Sequence, residues 1–221
     1  MNWRKLFVPV AVMCLALISL PAQTQNLSDH QSLLNAWNKP FKPFRIIGNI
    51  HYVGTNNLAC FLITSPAGYV LIDTGMEESV PIVKANIEAL GYKLKYVRMI
   101  LSSHAHFDHV AGHADMKAAT GAQVIASAAD APALESGGTK SFHPIGSYKP
   151  VKVDRIIKDG EIVRLGSIAL KAHLMPGHTE GNTAWSMTVE ENGKKYEVVF
   201  VASMSINPGV KMVNNPTWPT I

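Results

Sequence analysis

His104-Ala105-His106-Phe107-Asp108-His109 decides how this chain is read. The stretch packs three imidazoles and a carboxylate into six residues, directly after an apolar run, Val97 to Leu101, that reads as a buried strand. Hydrophobic packing does not call for such a cluster, whereas imidazole nitrogen and carboxylate oxygen are donors that a Zn²⁺ ion takes. Alternation along an extended segment points His104 and His106 the same way. Asp108 and His109 follow at the start of a helix and can address a second position beside the first. The spacing therefore predicts two adjacent metals.

Upstream of the cluster, Arg45 to Val53 and Asn57 to Thr64 read as strands, Pro66-Ala67-Gly68 as a turn and Tyr69 to Ile72 as the returning strand of a β-meander. Asp73-Thr74-Gly75 ends that strand. A helix follows, with Val83, Ile87 and Leu90 on one face and Gly91 as its stop. Asp73 is either a turn carboxylate or a support that orients a metal ligand. Tyr96 to Leu101 is the strand that delivers the cluster. His113 stands four residues beyond His109, so the two share a helical face, and it reads as an outer partner of the site or a surface residue.

Downstream, Gly121 to Ala126 reads as a strand and Ala128 to Leu134 as a short helix. Glu135 to Pro150 is rich in glycine, serine and proline, with Phe142 and His143 in its middle; it is either a substrate-binding lip or a solvated connector. Val151 to Ile157, Glu161 to Leu165 and Ile168 to His173 resume the strands, with Lys158-Asp159-Gly160 read as a hairpin turn. Pro176-Gly177-His178-Thr179 is the second informative stretch. A histidine on such a loop can swing onto a metal held elsewhere, completing three nitrogen ligands and leaving a fourth position for water. Trp185 to Val189 and Tyr196 to Val201 form a hairpin around Asn192-Gly193, and the second strand delivers Ser203-Met204-Ser205 to the same edge.

A chain of 221 residues, 47% hydrophobic and only 16% charged, is a folded domain with its own core rather than a disordered or nucleic-acid-binding tail. Arg4 and Lys5, an apolar run from Leu6 to Leu20 and then Pro21-Ala22 read as a secretory signal over residues 1–22, leaving a domain at 23–221. The alternative is an uncleaved N-terminal anchor. Loss of Arg4 and Lys5 lowers the formal charge from +4 to +2, too little to imply a nucleic-acid partner. Cleavage also removes Cys14 and leaves Cys60 alone, so no intramolecular disulfide is expected. Asn26 to Pro43 reads as a short amphipathic arm, with Leu33, Leu34 and Trp37 at helical spacing.

The order β-meander, Asp73-Thr74-Gly75, His104-x-His106-x-Asp108-His109, Pro176-Gly177-His178-Thr179 resembles the metallo-β-lactamase fold, an α+β, four-layer αβ/βα sandwich with a dinuclear zinc site along one edge of two sheets. The resemblance covers essentially the whole mature chain. Ser203 narrows it. Glyoxalase II and related thioesterases place an aspartate near this position, and the other class B β-lactamases a cysteine. A neutral serine hydroxyl is a poor zinc ligand, so His109 must carry that load. That combination resembles the third subclass of class B β-lactamases, as do Asn207-Pro208-Gly209-Val210-Lys211 and Thr179-x-Gly181-x-Thr183-x-Trp185.

The resemblance implies that His104, His106 and His178 bind one zinc, and Asp108 and His109 a second. A metal-bound hydroxide, its pKa lowered from about 16 to about 7, would open the β-lactam amide bond without an acyl-enzyme. Asp108 would also orient that nucleophile, and Ser203 and Ser205 would bind the substrate carboxylate or nearby water. The implied partners are β-lactam antibiotics met in the periplasm, with no nucleic acid and no stable membrane association after cleavage. The subclass also takes a further histidine for the second zinc, some tens of residues after Ser203, and closing strands and a helix. With the sequence written to Ile221, the resemblance implies a C-terminally truncated member with an incomplete second site and exposed apolar surface. His113 stands where the family has a glycine. A lactonase or thioesterase of the same fold, or an inactive fragment, are the alternatives.

Overall fold

The computed structural model describes residues 22–141, 144–208, 210, 213 and 214. The expected signal over 1–22 therefore lies outside the described residues apart from Ala22, and Phe142, His143, Gly209 and Lys211 lie outside them too. The chain divides into a short N-terminal unit ending at Leu34 and a main unit that starts at Asn35. Helix α1 (Ala22–Trp37) makes up the described part of the first and contributes its last turn to the second. Among the described residues no helix is long and apolar enough to cross a membrane.

The main unit is built on two sheets. Strands β1 (Phe44–Ile47), β2 (Ile50–Tyr52), β3 (Phe61–Ser65) and β4 (Gly68–Ile72) run antiparallel; β5 (Val97–Leu101), β6 (Gln123–Ser127) and β7 (Arg155–Ile157) continue the same sheet parallel to β4. Strands β8 (Ile162–Leu165), β9 (Ile168–Leu174), β10 (Thr183–Glu191) and β11 (Lys194–Phe200) form an antiparallel second sheet in the order β11-β10-β9-β8.

Parallel strands need crossovers, and here these are α2 (Val80–Ala89), the pair α3 (Phe107–Val110) and α4 (His113–Thr120), and α5 (Ala131–Glu135) with the loop that follows it. Val83 and Ile87 of α2, Met116 of α4 and Leu134 of α5 are fully buried against Leu62, Leu71, Ile100 and Val124, one face of the first sheet. The other face, with Ile63, Val70, Ile72, Leu101 and Ile125, packs on Val163, Leu170, Trp185 and Val189 of the second sheet. Because β4 to β6 are covered on both sides, their sequences read as near-continuous apolar runs. Each fully buried Ile or Leu contributes about 1.5–3 kcal/mol from removal of apolar surface from water. Helices α2 to α5 all border the first of these cores and none borders the second. On β11 and just after it, Val199 and Val201 are more than half exposed.

Three expectations are corrected. Arg45 to Val53 is not one strand: the chain reverses at Gly48-Asn49, with Gly48 at φ 52°, so β1 and β2 pair as a hairpin. Lys158-Asp159-Gly160 does turn the chain, with the Glu161 N–H bonded to the Lys158 carbonyl, but it is no hairpin, because β7 and β8 belong to different sheets. The helix after the histidine cluster is broken at Ala111-Gly112. Gly112 gives its N–H to the Gly75 carbonyl at 3.1 Å, and a Cβ there would lie 2.6 Å from Val80 and 2.9 Å from the Thr74 hydroxyl. Only glycine lets the break seat on the Asp73-Thr74-Gly75 turn.

Candidate metal centre

The carboxyl ends of β4, β5 and β6 and the loop between β9 and β10 converge on one edge, the end at which open α/β sheets present their ligands. Asp73 leaves β4 in the left-handed region, φ 58°. Its Oδ1 accepts the Ser103 N–H at 2.8 Å, and its Oδ2 accepts the Ser103 hydroxyl at 2.5 Å and faces His109 Nδ1 at 2.8 Å. Of the two readings of Asp73, the structure places it in support of a histidine of the cluster. The His109 carbonyl in turn accepts the N–H groups of Thr74 and Gly75, so the turn and the cluster hold each other.

His104, His106 and His178 come together: one ring nitrogen from each lies within 4.8 Å of the others, two of the rings buried and the third half-buried. His106 Nδ1 and His178 Nε2 are 3.0 Å apart. Tetrahedral Zn–N bonds of about 2.0–2.1 Å set ligand nitrogens roughly 3.3 Å apart, so small movements of these rings suit a zinc ion. Across the loop, His178 Nδ1 lies 3.1 Å from the Ser205 carbonyl, which as an acceptor fixes the proton on Nδ1 and turns the Nε2 lone pair inward. Burial, followed by the neighbouring His109, His106 and His178, holds His104 well below the usual imidazole range. It is therefore neutral, the form that ligates metal. The donor set fits zinc.

His109 and Asp108 stand beside this group and outside it. The His109 ring centre is 3.9 Å from that of His104, and His109 Nε2 is 3.5 Å from Asp108 Oδ2. Burial alone would lower the His109 pKa, but the Asp73 hydrogen bond and charge, with Asp108, raise it above the ordinary value. With Nδ1–H given to Asp73, Nε2 and the Asp108 carboxylate are the groups that can face a second metal.

Ser203 and Ser205 lie at the rim. Their hydroxyls are 3.0 Å apart, and Ser205 Oγ is 3.2 Å from His178 Nδ1. Asn182 pins the Ser203 backbone through both its N–H and its carbonyl. The loop after α5 rests on the cluster: the Tyr148 hydroxyl donates to the Ala105 carbonyl at 3.0 Å, and a Cβ on Gly146 would meet the Phe107 ring at 2.9 Å. At Gly146 and Tyr148 the loop borders the site. His113 is fully buried, between Thr74 Oγ1 at 2.8 Å and Ser102 Oγ at 2.9 Å; burial pushes its pKa down to about 4. The surface reading of His113 is thus corrected: it ties the turn after β4 to the end of β5.

One residue of the site, Asp130, stands outside every motif in the sequence. It precedes Ala131-Pro132 at the start of α5 and looks like an ordinary helix cap, yet its side chain makes no capping bond. The carboxylate instead accepts the Ala105 N–H, the Thr179 hydroxyl and the Gly181 N–H at 2.9, 3.0 and 2.8 Å. Complete burial pushes its pKa up to about 7 against the pull of those three donors. No signal in the sequence marks those distant partners.

A fold with this edge and this histidine group defines a class. Residues 54–187 match the model of the metallo-beta-lactamase superfamily, more than half of the chain, and the chain belongs to that superfamily. Among solved structures it is similar to the FEZ-1 metallo-beta-lactamase from Legionella gormanii, 44% identical with a TM-score of 0.79, over 82% of this chain and 71% of that one. It is also similar to BJP-1 of Bradyrhizobium japonicum, a subclass B3 metallo-beta-lactamase, 40% identical with a TM-score of 0.77, over 85% and 71% of the two chains. A hydroxyacylglutathione hydrolase of Methylococcus capsulatus is 34% identical over 105 residues, 48% of this chain. That match spans only 33% of the relative's length. The two-sheet expectation for the fold holds: the chain has the metallo-β-lactamase fold, with a histidine group at its sheet edge whose donors could hold a metal ion.

Proposed function

We propose that the chain is a zinc-dependent hydrolase of the β-lactam amide bond. The observation that carries the reading is the extent of likeness: about 40% identity to subclass B3 metallo-beta-lactamases across more than four-fifths of the chain, against 34% over 105 residues for the hydroxyacylglutathione hydrolase. The rim supports it, since Ser203 and Ser205 offer hydroxyls to a substrate carboxylate beside His178.

His104, His106 and His178 would hold one zinc, and His109 with Asp108 would contribute to a second. Zinc at such a site supplies a Lewis acid for a carbonyl oxygen and lowers the pKa of water to about 7. The protein's own part is orientation and charge. Asp73 fixes the tautomer and direction of His109; the Ser205 carbonyl does the same for His178. Asp108, as a carboxylate at the mouth of the cluster, can accept a proton from water or pass one to the departing ring nitrogen. Gly146 and Tyr148, resting on Phe107 and Ala105, would wall one side of the substrate and limit water. Residues 1–22 as an export signal would carry this activity to the periplasm.

The test is hydrolysis of nitrocefin and imipenem against S-lactoylglutathione by the zinc-loaded chain. The reading predicts β-lactam turnover at least about tenfold more efficient in kcat/KM than thioester turnover. The reverse ratio supports the second reading, a thioesterase, which the hydroxyacylglutathione hydrolase likeness favours.

A further inference from the structure

We propose that Asp130 is the positioning residue of the three-histidine site: its one carboxylate locks the two loops that carry the metal ligands into a single frame. This rests on the reading of His104, His106 and His178 as a zinc site.

The first loop presents His104 and His106, and Ala105 between them gives its N–H to Asp130 Oδ2. The second loop presents His178. Thr179, next in sequence, gives its hydroxyl to that same oxygen, and Gly181 gives its N–H to Oδ1. Ligands that lie 72 residues apart in sequence are thus referred to one buried side chain. A three-donor shell around a fully buried carboxylate leaves it no room to rotate, and its geometry passes directly to the residues flanking each ligand.

Two further contacts close the frame. Ser127, at the end of β6, gives its hydroxyl to the Gly181 carbonyl at 3.1 Å and accepts the Asp130 N–H at 3.2 Å. Gly181 approaches so closely that a Cβ would lie 1.9 Å from Ser127 Oγ and 2.7 Å from Asp130 Cγ. Any side chain at 181 wedges the His178 loop away from Asp130. On the opposite side the Tyr148 hydroxyl holds the Ala105 carbonyl, so both polar groups of that residue are fixed.

Zinc affinity of the purified 221-residue chain, measured by competition with a chromophoric chelator, tests this alongside the melting temperature of the metal-free forms. Asp130→Asn offers one acceptor oxygen where two serve now and turns N–H donors toward N–H donors. It should raise the zinc Kd about 10–100-fold. Gly181→Ala should act in the same direction. Asp154→Asn is the control: Asp154 accepts the Val124 N–H and pairs with Lys117 away from the cluster. It should lower the melting temperature while the zinc Kd stays within about twofold. Should Asp130→Asn fail to fold, Thr179→Val removes one donor only and should still raise the Kd several-fold. A folded Asp130→Asn or Thr179→Val protein with wild-type zinc affinity overturns the proposal. Absence of tight zinc binding by the wild-type chain instead overturns the zinc reading itself, and the role of Asp130 with it.

Discussion

Asp73 Oδ2 and His109 Nδ1 lie 2.8 Å apart, and that contact decides which His109 nitrogen can face a metal. A carboxylate pinned by the Ser103 N–H and hydroxyl cannot turn away, so the imidazole keeps its Nδ1–H toward Asp73 and its Nε2 toward Asp108. Asp73→Asn should therefore weaken zinc at the second position by about 10–100-fold while the tight first site changes less. Competition titration followed by the visible spectrum of the cobalt-substituted protein separates the two.

The same pair sets a pH dependence. Asp73 and Asp108 raise the folded pKa of His109 above its unfolded value, so the stability it adds is fully present below about pH 6.5 and is lost as pH rises through the folded pKa. Denaturant unfolding of the metal-free chain should show a larger penalty for Asp73→Asn near pH 6 than near pH 9, roughly half a unit below and well above the ordinary imidazole pKa. An equal penalty at both would separate the pair from the titration.

His113 behaves oppositely. It is buried neutral with a pKa pushed down to about 4, so protonation on acidification favours the unfolded chain. Between about pH 6.5 and 4 the metal-free protein should lose on the order of 3 kcal/mol through this residue. In His113→Gln that slope should flatten by the same amount, as read from unfolding midpoints across the range.

Trp185 joins the second sheet to the strand end that carries the cluster. Its ring is fully buried and its Nε1–H donates to the Ser102 carbonyl at 3.1 Å. Trp185→Phe keeps part of the volume, loses the hydrogen bond and leaves a void, so thermal unfolding should report a loss of about 2–4 kcal/mol.

At the rim, Ser205→Ala removes a hydroxyl but leaves the backbone carbonyl that faces His178 Nδ1. The expected outcome is a KM for carboxylate-bearing β-lactams raised roughly 3–10-fold, with kcat and zinc content little changed. Steady-state kinetics with metal analysis on the same sample decides it.

What the sequence makes legible depends on how local each signal is. The cluster from His104 to His109 and the Pro176-Gly177-His178 loop carry their chemistry within a few residues, so the three-histidine group is readable from the chain alone. The Asn192-Gly193 hairpin is equally local, with both residues at positive φ. Lys158-Asp159-Gly160 misleads because turn chemistry says that a chain reverses, not which sheet receives it. Asp130 escapes notice because its partners are 25 to 51 residues away and its own neighbourhood imitates a helix start. His113 admits two readings because the serine and threonine that bury it come from different strand ends.

The most direct test of the metal centre is a zinc titration of the metal-free chain, with His104→Ala, His106→Ala and His178→Ala alongside. Among the described residues, His104, His106 and His178 could hold one ion, and the proposed second would rest on His109 and Asp108. The wild-type chain should take up one zinc tightly and a second at least about tenfold more weakly, and each of the three substitutions should abolish the tight site. A wild-type chain that retains no zinc, or a His178→Ala chain that binds it as tightly as wild type, would contradict the assignment.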